Sequence, residues 1–390
     1  MMGLIHGARR VRGALVLGAS GLLSAAVLTV AGAPATAAQP ASSPELAGCA
    51  AQGHSAAKIG RFGGIQHAVA TNKNCPAPPG GDPAIGTPPL LFHGGPMMGT
   101  RSTGPIVVTP IFWAPAGHPM DSAYKNVVTT YLRDVAAASG TRTNVYSTAT
   151  EYSGSNGSIR YQVQLGAPVN DSNALPADGC QLVGHDKSGI YADNTGYDSC
   201  IDDNQVIAET DRVITAQGMS RDLAHMYVMF LPKHVESCFF PGGTSTARNF
   251  CTINYEPSAT YCAYHSQSPT GAVYSNMPFP IYLSPVGFTC GTNKNFGAIQ
   301  SPNGNPDADV EISPTSHEIM ESITDPDTVT GWYDSSGFEN GDECAYVFGV
   351  TQGVAGKFYN QVINNHRYLT QEEFSNADFA RSGGGCLQHG

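Results

Sequence analysis

The sequence predicts an α+β fold: a single disulfide-containing domain in which a mixed sheet is packed by helices. Three observations lead there. From Pro88 onward the 390-residue chain is patterned as a globular protein over roughly 300 residues, enough for one large domain with a proper core. Its strand-like and helix-like stretches follow one another irregularly, without a strict β-α-β alternation. Its ten cysteines are an even number and read as a disulfide framework.

The elements can be justified in order. Arg9, Arg10 and Arg12, the apolar run 13–32 and the small residues Ala35-Thr36-Ala37 make residues 1–37 a signal peptide, which predicts a secreted, extracellular protein with no membrane span after cleavage. Residues 38–87 are rich in Ala, Pro, Gly and Ser and read as an extended arm, either a linker or a removable pro-segment, which Cys49 and Cys75 could close into a loop. The globular domain is expected over 88–390. Ile106–Trp113 is apolar and β-branched, a buried strand in which Pro110 suggests an edge or a bulge. Asp121 caps a helix carrying Tyr124, Val127, Val128, Tyr131, Leu132 and Val135 at helical spacing. Ile159, Tyr161, Val163 and Leu165 alternate with polar residues as a half-buried strand does. A second amphipathic helix is predicted over 204–217, with Val206, Ile207, Val213 and Ile214 inward and Gly218 as its stop. Residues 226–231 read as a central strand and 280–285 as a short one, with loop over 233–277 between them.

Signal cleavage removes three arginines and no acidic residue. The 20 Lys+Arg become 17 against 31 Asp+Glu, a net of −14. That balance argues against nucleic acid or an anionic membrane as partner. No C-x-x-C pair occurs, so cysteine zinc sites and thioredoxin-like chemistry are not expected. Cys180–Cys200 and Cys238–Cys251 are the simplest local pairings. No G-x-S-x-G elbow is present for a serine hydrolase.

The most informative stretch is His317-Glu318-Ile319-Met320-Glu321. It is similar to the zinc-peptidase motif H-E-x-x-H with the second histidine replaced by glutamate. Residues four apart share a helix face, so His317 and Glu321 can chelate one ion while Glu318 serves as base. Ser313-Pro314 resembles a helix start, and Pro326 sets the end near Thr324. Ile319, Met320 and Ile323 then form a buried stripe. The further ligand is sought in three places: Asp327, Glu339 and Asp342, the last two favoured because Cys344 could pin their loop. A histidine with two carboxylates neutralises Zn²⁺, and Mn²⁺ or Ca²⁺ compete for such a set. A structural calcium site at Asp325, Asp327, Asp334 and Asp342, or a metal-free polar pair of His317 and Glu321, are the alternatives.

Several runs together resemble one family. Phe92-His93-Gly94-Gly95-Pro96, the strand ending Phe112-Trp113, Tyr261-Cys262-Ala263-Tyr264-His265, Ser316-His317-Glu318, Gly331-Trp332-Tyr333 and the stretch from Glu339 to Cys344 occur in this order. They are similar to the phosphate-induced protein 1 (exordium-like) family over about residues 90–350. Members known from plants are extracellular and associated with growth responses. The resemblance implies a secreted, disulfide-containing domain and adds His93 and His265 as candidates, without implying a reaction. The sequence thus predicts a metal-dependent hydrolase, most simply a zincin-like endopeptidase. His317, Glu321 and Glu339 or Asp342 are its metal ligands, Glu318 its base, and His265 or Tyr333 its oxyanion stabiliser. Its partner is a peptide or protein substrate. The alternative is a non-catalytic module that binds a cell-wall component or a protein.

Overall fold

A computed structural model describes residues 65–67, 69–70, 82–180, 197–239, 250–252, 261–280 and 288–390. Its centre is a mixed sheet of seven strands. These are β1 (Ile65–His67), β2 (Ile106–Trp113), β3 (Val163–Leu165), β4 (Val169–Asp171), β5 (His225–Phe230), β6 (Tyr261–Gln267) and β7 (Val273–Met277). The order across the sheet is β1-β6-β7-β5-β2-β3, with β4 also paired to β2. β7, β5, β2, β3 and β4 run parallel, whereas β6 is antiparallel to both β7 and β1.

Strand alternation sorts the core onto two faces. Val108 and Phe112 of β2, Met226, Val228 and Phe230 of β5, and Val273 and Met277 of β7 face one side. There they meet helices α1 (Ser122–Ala137) and α3 (Pro306–Thr324). Ile111, Trp113, Tyr227, Met229 and Tyr274 face the other side and cover α2 (Asp203–Gln217) through Val206, Val213 and Ile214. Each such fully buried aliphatic or Phe side chain contributes about 1.5–3 kcal/mol. Helices on both faces also explain why the central strands read as near-continuous apolar runs.

Both amphipathic helices form where their patterns place them. Asp121 accepts from the Ala123 amide at the start of α1. Asp202 and Gln205 make a reciprocal capping box on α2, and Gly218 ends it with φ +62°. Among the described residues four disulfides join Cys180–Cys200, Cys238–Cys251, Cys262–Cys290 and Cys344–Cys386. The Cys49–Cys75 expectation and the strand over 280–285 fall largely outside the described residues. No helix of the described residues is long and apolar enough to cross a membrane.

Five expectations are corrected. Pro110 is not on an edge strand: β2 is paired on both sides, and Pro110 falls between Val108, which pairs with Leu165, and Ile111, which pairs with Val169. The interruption between β3 and β4 accommodates the missing amide. Residues 233–277 are not loop-like: they contain Val235–Phe239, β6 and β7. Every residue of β7 is buried, so a two-faced alternation never shows in its sequence. The long helix starts two turns early, with Asn305 accepting from the Ala308 amide and Pro306 in its first turn. Pro314 sits inside the helix. Burial is not confined to a stripe either, since all residues of α3 from Ala308 to Thr324 are buried. Within the segment read as an arm, Ile65–His67 and Val69–Ala70 form short strands.

The capping box gives a direct stability test. Asp202→Ala leaves the α2 N-terminus with an unpaired amide and should lower unfolding stability by about 1 kcal/mol. Urea denaturation should show a lower midpoint at unchanged slope.

Candidate metal centre

The candidate centre lies where α3 passes beneath β6. Alternation puts His265 on the face of β6 that carries Ala263, toward α3. Helix α3 contributes His317, Glu318 and Glu321, and its C-cap is Asp325. A short helix, α4 (Asn340–Glu343), contributes Asp342, with Glu339 as its N-cap residue. Two disulfides hold these pieces: Cys262–Cys290 lies three residues before His265, and Cys344–Cys386 two residues after Asp342. Helix α4 lies flat on the His317 imidazole because residue 341 is glycine. A Cβ there would sit 2.6–2.9 Å from the ring.

His317 Nε2 is 2.9 Å from Glu321 Oε1 and 3.7 Å from Asp342 Oδ1. His265 Nδ1 is 3.2 Å from Glu318 Oε2 and 3.6 Å from Glu321 Oε2, and its Nε2 is 3.8 Å from Glu339 Oε1. Glu321 is therefore shared, with one oxygen toward each histidine. Its Oε1 also accepts from the Asp342 amide at 3.0 Å. His265, His317, Glu318, Glu321 and Glu339 are sealed from solvent, and Asp342 is 6 % exposed. Yet Glu321 Oε2 and Glu318 Oε1 make no hydrogen bond. Among the described residues no lysine or arginine pairs with Glu318, Glu321 or Asp342.

The structure thus brings together His265, His317, Glu318, Glu321, Glu339 and Asp342 from the sequence candidates. Tyr333 is held in a surface ribbon, with its ring stacked on His93 at 3.5 Å and its hydroxyl on the Val329 carbonyl. Asp327 is used by its own loop, accepting from the Val329 and Thr330 amides and the Thr330 hydroxyl. Both nitrogens of His265 are engaged, since Nε2 donates to the Asp325 carbonyl at 2.9 Å. That makes His265 a holder of Glu318. Gln371 and Glu373 escape a sequence reading, because Thr370-Gln371-Glu372-Glu373 looks like a solvated turn. Instead Glu373 is fully buried, and the Gln371 amide reaches His317 Nδ1 at 2.8 Å and the Gly341 carbonyl at 2.7 Å.

Burial and charge set the protonation of the metal-free chain. Burial pushes Glu318 up, the His265 contact draws it back, and it comes to rest at about 7. Burial raises Glu321 too, but the His317 charge and both imidazole contacts outweigh it and hold it at about 2. Burial lowers His317, and Glu321 with Glu318 and Asp342 overcomes that, to about 10. Burial drives Glu339, Asp342 and Glu373 well above the carboxylate range. Imidazolium protons thus stand where a cation would balance the same carboxylates.

The residues fit a divalent cation. Ligand atoms of His317, Glu321 and Asp342 lie within 4.8 Å of one another, as do those of His265, Glu318 and Glu321. Nitrogen with two carboxylate oxygens suits zinc or manganese, and calcium less well. One adjustment concerns the His317 ring. Gln371 Nε2 faces Nδ1 at 2.8 Å, and because a protonated ring and a metal-binding ring both carry Nδ1–H, each needs that amide turned so that its oxygen accepts. Comparison with known families, curated proteins and solved structures gave no match, so function is argued from this site alone.

The protonation pattern has a measurable consequence. Glu343 and Glu372 are likewise raised by burial to about 9. A carboxylate raised in the folded state keeps a proton that the unfolded chain releases, and so does the raised His317. These groups make stability fall as pH rises from the unfolded carboxylate range toward 9, while Glu321, held at about 2, makes it fall again at more acid pH. The metal-free protein should melt at least ~5 °C lower at pH 8.5 than at pH 5.5, by calorimetry in chelator. A bound divalent ion should shrink that difference.

Proposed function

We propose that the chain is a secreted, metal-dependent hydrolase of the zincin-like kind, acting on peptide bonds. The observation that carries this reading is the convergence of ligand atoms of His317, Glu321 and Asp342 within 4.8 Å of one another in a buried cluster, beside a Glu318 Oε1 that makes no hydrogen bond. Buried carboxylates are costly without a counter-charge, and a cation at this convergence would supply one in place of the imidazolium protons. His317, Glu321 and Asp342 would hold the ion, with Glu339 a further carboxylate of the cluster, its Oε1 3.8 Å from His265 Nε2. The ion supplies Lewis-acid polarisation of a carbonyl and a more acidic water.

The chain's own residues do the rest. Glu318 lies one residue from His317 on α3, with Oε2 fixed by His265 and Oε1 uncommitted. Oε1 is the atom that takes a proton from an attacking water and returns it to the leaving amine. His265 keeps the carboxylate pointed, and Asp325 keeps His265 pointed. Gln371 orients His317 from the opposite side. The disulfides and the signal-like N-terminus support an oxidising, extracellular setting.

Complete burial of the cluster favours a second reading, a non-catalytic secreted module of the exordium-like kind in which the ion is structural. A closed ligand shell is what structural metals have, whereas catalytic ones keep a position open. One substitution separates the two. Glu318→Gln should reduce peptide hydrolysis by about 10²–10⁴-fold while metal content and melting temperature stay within error. Unchanged hydrolysis in that variant removes Glu318 from the chemistry. Gln371→Leu should weaken metal affinity by about 10–100-fold, read by competition with a chromophoric chelator.

A further inference from the structure

A histidine at position 321 would offer one nitrogen to an ion beside His317. Glutamate offers two oxygens, and here they face different partners. Oε1 lies 2.9 Å from His317 Nε2, and Oε2 lies 3.6 Å from His265 Nδ1. On the His317 side the third residue is Asp342, with Oδ1 at 3.7 Å from Nε2. On the His265 side it is Glu318, with Oε2 at 3.2 Å from Nδ1. Each triad gathers one imidazole nitrogen and two carboxylate oxygens within 4.8 Å, and Glu321 belongs to both.

The second triad has the marks of a ligand set in its own right. His265 Nε2 lies 2.9 Å from the Asp325 carbonyl, which can only accept. That contact keeps a proton on Nε2 and aims Nδ1 at Glu318 and Glu321. A carbonyl behind the ring is how metal-bound histidines are commonly oriented. Glu321 Oε2 and Glu318 Oε1 make no hydrogen bond, although both side chains are sealed from solvent. Charge favours the same conclusion. Glu318, Glu321, Glu339, Asp342 and Glu373 are all buried and carry −5 when ionised. With both histidines neutral, as ligands must be, one divalent ion leaves −3 and two leave −1.

We propose that the centre is a two-ion site bridged by Glu321. One divalent cation is held by His317, Glu321 and Asp342, and a second by His265, Glu321 and Glu318. The second ion takes the place of the proton on His265 Nδ1. Nitrogen with carboxylate oxygen suits manganese or zinc at both positions. The triad with Asp342 fills first, because that residue keeps 6 % exposure whereas the second triad is sealed. The second ion is repelled by the first and enters more weakly, so the purified chain carries one and takes up the other when metal is offered. Glu318 meets the second ion through Oε2 and keeps Oε1 for the proton of the attacking water. The purpose of the pair rests on the hydrolase reading: two ions about 3.5–4 Å apart clamp the attacking and leaving atoms of a displacement. The binding of two ions does not depend on it.

The test uses the full secreted chain, cleared of metal with chelator and titrated with Mn²⁺. Dialysis followed by elemental mass spectrometry should give about two manganese per chain at saturation, bound in two steps at least about tenfold apart. Electron paramagnetic resonance should show a spin-coupled pair once the weaker step fills, because a shared carboxylate links the ions. His265→Ala should keep the tighter step, lose the weaker one and give only the spectrum of an isolated ion. Two ions without spin coupling, or both steps retained by His265→Ala, overturn the proposal. Should that variant fail to fold, stoichiometry and coupling in the unaltered chain decide by themselves. Saturation at one ion overturns the second site and leaves the hydrolase reading standing, whereas no ion at all overturns both.

Discussion

The structure around α3 depends on one electrostatic constraint: carboxylates carried into a dry interior must be neutralised by something. Glu318, Glu321, Glu339, Asp342 and Glu373 are all buried within reach of two histidines. Removing an isolated carboxylate from water costs several kcal/mol even after relaxation, so five of them are not a neutral feature of a core. Protons can meet the requirement, and so can a divalent cation. A cation would also use the convergence of His317, Glu321 and Asp342, whose ligand atoms lie within 4.8 Å of one another.

That constraint explains the scaffold that surrounds it. Each element carrying a ligand is fixed by something other than the ligand. α3 is buried along its length from Ala308, β6 is tied by Cys262–Cys290, and α4 by Cys344–Cys386. Gly341 then allows α4 to close on the His317 ring without backbone displacement. Outer contacts complete the arrangement: Asp325 on His265, and Gln371 on His317. A site supported in this way holds its geometry whether protons or metal balance its charge.

Much of this was legible in the sequence, and the illegible parts share a cause. α1 and α2 could be read because each has one wet and one dry face and a side-chain cap, so periodicity and cap coincide. The motif from His317 to Glu321 could be placed on a helix ending at Thr324 because Pro326 stops it. The start was misread because Ser313-Pro314 imitates an N-terminus, while the working cap is Asn305-Pro306. β6 and β7 were hidden because they are covered on both faces, and because His265 and Asn276 are polar residues serving buried contacts. Gln371 and Glu373 carry no local signal at all. Their place is set by the pairing of Glu373–Phe374 with Gly385–Leu387, a contact that only the folded chain makes.

The most direct measurement is elemental mass spectrometry on the purified secreted protein, paired with its His317→Ala variant. The account predicts about one zinc or manganese per chain, lost from the variant. Protein that carries no metal, even after zinc and manganese are offered, or metal retained in full by His317→Ala, would contradict it.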